Sequence, residues 1–341
     1  MTRIIDVAKR ANVSKATVSH AFNKPHLLKQ ETHERVLKAA RELNYTPNVF
    51  AQALRGAKTQ MVGLLVADIR FPYQSAIARG IEDTLDDEEY FAIIASTDGN
   101  EEKELKMIEK LRRRGASSFI AMPVYYGIRP KMLAEAHRLI KDGVPFVVGG
   151  HRADQTQLDF VHFKPQQATK EAVNHLIKLG HRDIAYIGTP YSQGFGVLRW
   201  LGYQESLLSN RIGLRSDLVK EIPVCQTAIK QAMTELLALE HPPTAIFAFN
   251  DIIGIGIIDY CLEKEIKIPQ DLSIVGFDYQ TVCQRRTPAL SGVVVSAYEL
   301  GKKTAELLRT RLQNPDLPPQ EWTVDYRFEA RQTTAAVKIA D

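Results

Sequence analysis

Cysteine is scarce in this chain. Cys225, Cys261 and Cys283 are odd in number and far apart, so they make neither a disulfide framework nor a zinc-ligand cluster. Long apolar runs are missing too, and no stretch reaches the ~18 apolar residues of a membrane-spanning helix. The opening "MTRIIDVAKR" lacks the apolar core of a secretory signal. The expectation is a soluble, cytoplasmic protein. Catalytic fingerprints are also absent, with no G-x-G-x-x-G, Walker, G-x-S-x-G or H-E-x-x-H pattern. No enzyme, no cofactor and no metal site is therefore expected. Acid is absent from "ANVSKATVSHAFNKP" at 11–25, where an ordinary surface helix would carry Glu among other long helix formers.

What the chain does have is unevenly distributed. Its 341 residues carry a net charge of only +4, yet residues 1–58 hold 11 Lys and Arg against 4 Asp and Glu. The remaining residues hold 33 against 36. A basic head on a mildly acidic body points to a polyanionic partner for the head alone. Three short helical patterns fill that head. The first, "IIDVAKRA", turns Ile5, Ala8 and Ile4 inward. Ser14 caps a second helix, with Val18, Ala21 and Phe22 inward and Lys15, Ala16, Thr17, Ser19 and His20 outward. The third, over 31–43, buries Val36, Leu37, Ala40 and Leu43. Two helices joined by a short turn and closed by a third describe a helix-turn-helix. The short outward donors and acceptors suit a DNA major groove, and phosphates explain the missing acid. Next, Pro47 opens "VFAQALR", a helical stretch too short to be stable alone.

The body alternates apolar runs with amphipathic helices. Candidate strands lie at 61–67, 90–96, 118–123, 145–150, 183–188, 244–249 and 272–277, with helices at 75–89, 101–113, 167–179, 226–239 and 251–264. Continuously apolar strands between helices imply parallel sheets covered on both faces. The length calls for two α/β lobes, whose ligand site is the cleft at the strand carboxyl ends.

These residues resemble the lactose-repressor (LacI/GalR) family of bacterial transcription regulators. "IIDVAKRANVSKATVSHAFN" and "ETHERVLKAARELNYTPNVFAQALR" are close to that family's head and hinge, and the head is most similar to its purine-repressor branch. "VGLLVADIRFPY", "GHRDIAYIG", "PTAIFAFNDIIGIG", "KIPQDLSIVGFD" and "TPALSGV" resemble its body landmarks in order and spacing. The resemblance implies an α/β protein with a three-helix helix-turn-helix head and two periplasmic-binding-protein-like, Rossmann-like subdomains. The expected organisation is a head at 1–47, a hinge helix and linker at 48–59, and two effector-binding subdomains. The first subdomain takes 60–161 and 290–320, the second 162–289 and 321–341.

The resemblance further implies a homodimer on a pseudo-palindromic operator in double-stranded DNA. Lys15, Ala16 and His20 fall at its base-reading positions. Ser14, Thr17, Asn23 and Tyr45 fit phosphate anchoring. Leu54 matches its minor-groove wedge, with a contact between two hinge helices as the other reading. One departure is that Lys29 or Gln30 stands where a Ser or Thr usually caps the third helix, which predicts a cap weaker by ~1 kcal/mol.

In the cleft, Tyr73, Gln193, Phe195, Arg199, Asn250, Asp251 and Asp278 are the effector candidates, and Lys164 joins them as a cation. The structural alternatives are a helix cap for Asp251, simple packing for Tyr73 and an Arg199–Asp278 pair. The expected effector is a sugar or sugar derivative. Lys164, Arg199 and Arg285 or Arg286 would favour an anionic one. A nucleobase- or nucleoside-responsive regulator is the alternative. An enzyme carrying a DNA-binding head, a transport binding protein and a sensor of a corepressor protein rank below it.

Overall fold

The computed structural model describes residues 2–23, 25–45, 59–86, 90–123, 129–150, 156–189, 196–278 and 287–337. The hinge stretch with Leu54, the loop with Gln193 and Phe195, and Arg285 and Arg286 lie outside them. The chain divides into two compact units, Met1–Gln60 and Met61–Asp341.

The first unit holds α1 (Ile4–Ala11), α2 (Lys15–Asn23) and α3 (Gln30–Glu42). α1 ends because Asn12 turns left-handed at φ 52°, a conformation Asn tolerates, and the Val13 amide closes back on the Ala8 carbonyl at 3.0 Å. α2 then starts on Ser14, whose hydroxyl accepts from the Thr17 amide at 3.0 Å. The core joins Val7, Ala8 and Ala11 of α1 to Val18 and Ala21 of α2 and Val36, Ala39 and Ala40 of α3. The inward stripe differs from the expectation in detail. Val7 is the deepest residue of α1, whereas Ile4 and Ile5 are only half-buried; Phe22, Leu37 and Leu43 are likewise half-buried, and Ala39 is buried. In a domain this small the inward stripe favours small residues that let helix backbones approach. Lys29 is the N-cap of α3 and makes no side-chain cap bond.

The second unit contains two six-stranded sheets. It runs through β1 (Met61–Val66), α4 (Pro72–Asp86), β2 (Phe91–Ser96), α5 (Glu101–Arg113), β3 (Ser118–Met122), α6 (Pro130–Lys141), β4 (Phe146–Gly149) and β5 (Asp159–His162). It continues with α7 (Pro165–Lys178), β6 (Ile184–Gly188), α8 (Gly196–Ser209), β7 (Val219–Glu221), α9 (Gln226–Leu237), β8 (Ala245–Ala248), α10 (Asp251–Glu263) and β9 (Ser273–Asp278). Last come β10 (Ser291–Val295), α11 (Ala297–Gln313), β11 (Glu321–Thr323) and β12 (Tyr326–Glu329).

The first sheet has the order β11-β5-β4-β3-β1-β2 and every described pairing in it is parallel. The second has the order β12-β10-β9-β8-β6-β7, with β12 antiparallel at its edge. Helices cover both faces of each sheet, which is why the central strands read as unbroken apolar runs. Ile77 and Ile81 of α4 and Leu300 and Leu307 of α11 cover one face of the first sheet, while Ile108 and Leu139 cover the other. In the second sheet, Ile229 and Ile257 lie on one face and Leu176 and Tyr203 on the other. Burying each such side chain fully contributes about 1.5–3 kcal/mol.

The chain crosses between lobes three times, after β5, at Ser296 and between β11 and β12. The breaks expected at 290 and 320 therefore shift: β10 stays in the second sheet and β11 in the first. β10 was hidden because it opens on Ser291-Gly292, a pair that reads as a turn. Gly292 is needed there because a Cβ would strike the Gly276 carbonyl of the neighbouring strand.

Candidate DNA-reading face and effector cavity

On the head, Ser14, Lys15, Ala16 and His20 are exposed and Thr17 and Ser19 half-buried, so the outward side of α2 is polar, small and free of acid. Ala16 and His20 stand one turn apart on one face. Tyr45 is half-buried, its ring centroid 5.9 Å from that of Phe22. Asn23 ends α2, and its side chain lies outside the described residues. α3 is held against α2 by His33, whose Nε2 lies 3.1 Å from the Ala21 carbonyl. It is held to α1 by an Arg10–Glu42 ion pair at 2.7 Å.

In the second unit a cavity of about 550 Å³ opens at strand carboxyl ends. The stretch after β1 supplies Ala67, Asp68 and Arg70 to Gln74, and the turn after β2 supplies Asp98 and Gly99. The second lobe supplies Arg199 from α8, Val224 after β7, and Phe249 to Ile252 after β8. Of the residues expected from sequence, Tyr73, Arg199, Asn250 and Asp251 share this cavity. Lys164 does not. It is exposed and forms the N-cap of α7, away from the cavity lining. Asp278 ends β9, with its side chain outside the described residues, so the alternative of an Arg199–Asp278 pair is left where the sequence put it.

Arg199 is the electrostatic centre. It is 2% exposed, and its guanidinium carbon lies 4.3 Å from the Phe249 ring centroid and 4.0 Å from that of Phe277. It also donates to the Phe249 carbonyl. Burial pulls its pKa down to about 10, while Tyr186, Tyr73 and Asp251 favour the cation, so it stays charged at neutral pH. Burial likewise pushes the Tyr73 hydroxyl up, with the Arg199 charge opposing, so Tyr73 is neutral.

The helix-cap reading of Asp251 is corrected. Asn250 is the N-cap of α10, its Oδ1 accepting from the Ile253 amide at 2.9 Å. Asp251 follows inside the helix, 3% exposed, with Oδ1 accepting from its neighbour Ile252 at 2.9 Å. A carboxylate at a helix N-terminus is favoured by the helix dipole. Sequence reasoning did not single out Gln74, Asp68, Arg70 and Asp98. Asp68 chelates Arg70, with oxygens 2.6–3.0 Å from the guanidinium, which holds the Asp68 carboxyl below its usual range. Asp98 pairs with Lys103 at 2.5 Å. The "DIRFPYQ" run carried the signal for the first three, as polar residues directly after an apolar strand.

The pattern of bacterial regulatory proteins of the lacI family matches residues 3–48, and that of the periplasmic binding protein-like domain matches residues 173–334. Over 338 residues the chain is 30% identical to the HTH-type transcriptional repressor PurR of Escherichia fergusonii, covering 98% of this chain and 97% of the repressor. The chain belongs to the lacI family. Among solved structures, this lacI-family protein is similar to the lac repressor dimer bound to operator and the anti-inducer ONPF. The TM-score is 0.86 at 25% identity, over 98% of this chain and 99% of that one. It is also similar to a LacI family transcriptional regulator from Enterococcus faecium with bound ribose, with a TM-score of 0.71 and 29% identity over 82% of this chain and all of that one. The lacI-family chain is thus a DNA-binding transcriptional regulator with an effector-binding domain, and its relatives are regulators rather than enzymes. No helix among the described residues is long and apolar enough to cross a membrane.

Proposed function

We propose that this regulator binds a pseudo-palindromic operator as a homodimer, acts as a repressor, and is controlled by a neutral sugar or sugar derivative in the cavity. Lys15, Ala16 and His20 read base edges, with His20 donating to a guanine acceptor and Ala16 meeting a thymine methyl. Ser14, Thr17, Asn23 and Tyr45 hold phosphates, and Leu54 enters the minor groove. The effector meets Tyr73, Arg199, Asn250 and Asp251, with Gln193, Phe195 and Asp278 completing the site.

The observation that carries the effector reading is the cavity at the carboxyl ends of both sheets, with a buried Arg199 and Asp251 beside the Tyr73 ring. Arg, Asn and Asp suit sugar hydroxyls, and an aromatic face suits the apolar side of a sugar ring. The ribose in the Enterococcus faecium relative agrees with this chemistry. A neutral ligand is favoured over an anion because the described lining carries Asp68, Asp98 and Asp251 against Arg70 and Arg199, and Lys164 is not in it. A nucleobase would use Tyr73 for stacking but gives the buried Arg199 guanidinium and Asp251 carboxylate less to bind.

The experiment is selection of bound duplexes from a randomised pool, followed by a panel of sugars, sugar phosphates and nucleosides added to the selected complex. An enriched palindrome whose binding changes with a neutral sugar supports the proposal. Enrichment of no sequence removes the operator reading. A response only to sugar phosphates or only to nucleosides removes the neutral-sugar reading.

A further inference from the structure

His162 is the last residue of β5, where the chain leaves the first lobe. It is 4% exposed, and both of its ring nitrogens face acceptors. Nδ1 lies 2.9 Å from the Phe163 carbonyl, and Nε2 lies 2.8 Å from a carboxylate oxygen of Glu321. A carbonyl and a carboxylate only accept. A neutral imidazole carries one ring hydrogen and serves one of them, whereas the imidazolium donates to both.

The position of this ring joins it to the crossover. Phe163 begins the first crossing segment, yet its own side chain is buried in the core of the second lobe, 6.3 Å from the Phe277 ring. Glu321 opens β11, which runs through Thr323 into the crossing segment between β11 and β12. Val324 there is packed in the core of the first lobe, and its amide donates to the His162 carbonyl at 2.8 Å. One side chain therefore ties two of the three crossing segments together as they leave the first sheet. The other charged groups around it are engaged or exposed. Lys303 of α11 donates to the carbonyl of Thr323, the register partner of His162, at 2.8 Å. Asp159 at the start of β5 is held by Arg311 of α11 at 2.7 Å. Lys164 and Asp325 are exposed, and β4 brings no charged side chain.

We propose that His162 and Glu321 form a protonation-dependent latch on the crossover between the lobes. With a hydrogen on both nitrogens the ring holds the two crossing segments together, and loss of one hydrogen as the pH rises releases one of the two acceptors. The folded protein grips the charged ring with two bonds that the unfolded chain lacks. The latch therefore stabilises the fold at the acid end of the histidine range and loses that effect as the pH rises. A regulator whose lobes move on these segments then responds to pH as well as to its effector. The inference stands apart from the sugar reading of the cavity.

The test uses the full chain, His162→Gln, Glu321→Gln and the double variant. Glu321→Gln keeps an acceptor and removes the charge. Melting of all four proteins is compared at pH 6 and pH 8.5, so that titrating groups elsewhere cancel within the cycle. The coupling between the two positions should raise the melting point by about 2 °C at pH 6 and by less than half of that at pH 8.5. Hydrogen exchange, corrected for the intrinsic effect of pH, is followed in peptides covering 159–165 and 321–326. These amides should be about 5-fold better protected in the wild type than in Glu321→Gln at pH 6, and about equally protected at pH 8.5. A coupling that is independent of pH, or larger at pH 8.5, overturns the proposal and leaves a neutral hydrogen bond. A pH-dependent coupling with no change in exchange at these peptides overturns the latch, leaving an ion pair that serves the first sheet alone. If His162→Gln does not fold, the wild type and Glu321→Gln at the two pH values decide by the same two readouts.

Discussion

His181 is enclosed between three partners. Its Nδ1 lies 2.9 Å from the Thr244 hydroxyl, and its Nε2 lies 3.1 Å from the Ser273 hydroxyl and 3.0 Å from the Ala335 carbonyl. Burial lowers its pKa from 6.5, outweighing the Ala335 carbonyl, which favours the cation. His175 is lowered too, by burial and then by the nearby His181 and Lys178, and its Nε2 contacts the Thr334 hydroxyl at 3.1 Å. Both therefore tie the final stretch of chain to the second lobe in their neutral forms. In the unfolded chain each histidine takes up its proton near 6.5, before it does so in the folded one, so acid favours unfolding. The contribution of these two histidines is constant above about pH 6.5 and is lost as the pH drops below it, down to their lowered native pKa values. Melting measured from pH 7.5 to 5 should show this loss in the wild type and a shallower slope in His181→Gln. An equal slope in both would assign the pH dependence to other groups. Nothing local in "GHRD" announces this clamp, because its partners lie far along the chain. The same holds for Arg199. Its place near a strand carboxyl end was legible, but the Phe249 ring just after β8 and the Phe277 ring of β9, which flank its guanidinium, meet only in the fold.

At the scale of elements, the contact between α4 and α11 sets the frame of the first lobe. A Cβ on Gly80 would collide with the Tyr298 carbonyl, and one on Gly301 with the Ile77 carbonyl, so neither helix can retreat without opening the core behind Ile77 and Leu300. Gly80→Ala should destabilise the protein by about 2–3 kcal/mol, at the upper end of overpacking costs. Gly213→Ala is the control, since a Cβ there meets nothing within 4 Å. It should be neutral or slightly stabilising through the unfolded chain. Urea unfolding compares the two, and equal midpoints would refute the close-packing argument. Legibility varied between elements for a physical reason. β1 and β6 are buried along their length, so hydrophobicity alone marked them. β5, β7, β11 and β12 are four residues or fewer in length and bear polar or aromatic residues such as "VKE", "EWT" and "YRFE". Apart from β5, they stand at sheet edges, where one side needs no partner, so they carry little periodic signal. α4 begins at Pro72, earlier than its periodicity suggested, because Pro is pre-set for the first turn of a helix.

For the whole molecule, the charge asymmetry and the cavity belong to one thermodynamic cycle. The basic excess of residues 1–58 supplies attraction to phosphates that any duplex would share, so on the proposed reading operator choice comes from base contacts such as those of the exposed face of α2. Sequence-independent binding should weaken steeply with salt, while discrimination between operator and random duplex persists. Control by the effector is a coupling free energy, and such coupling is reciprocal. If a sugar in the cavity weakens operator binding by some factor, the operator must weaken sugar binding by that factor, typically 5–150-fold. The measurement is sugar affinity by calorimetry, with and without saturating operator, set beside operator affinity with and without saturating sugar at one salt concentration. Equal factors are expected. Unequal factors would mean that the two titrations do not share one set of equilibria, because the state of assembly changes between them.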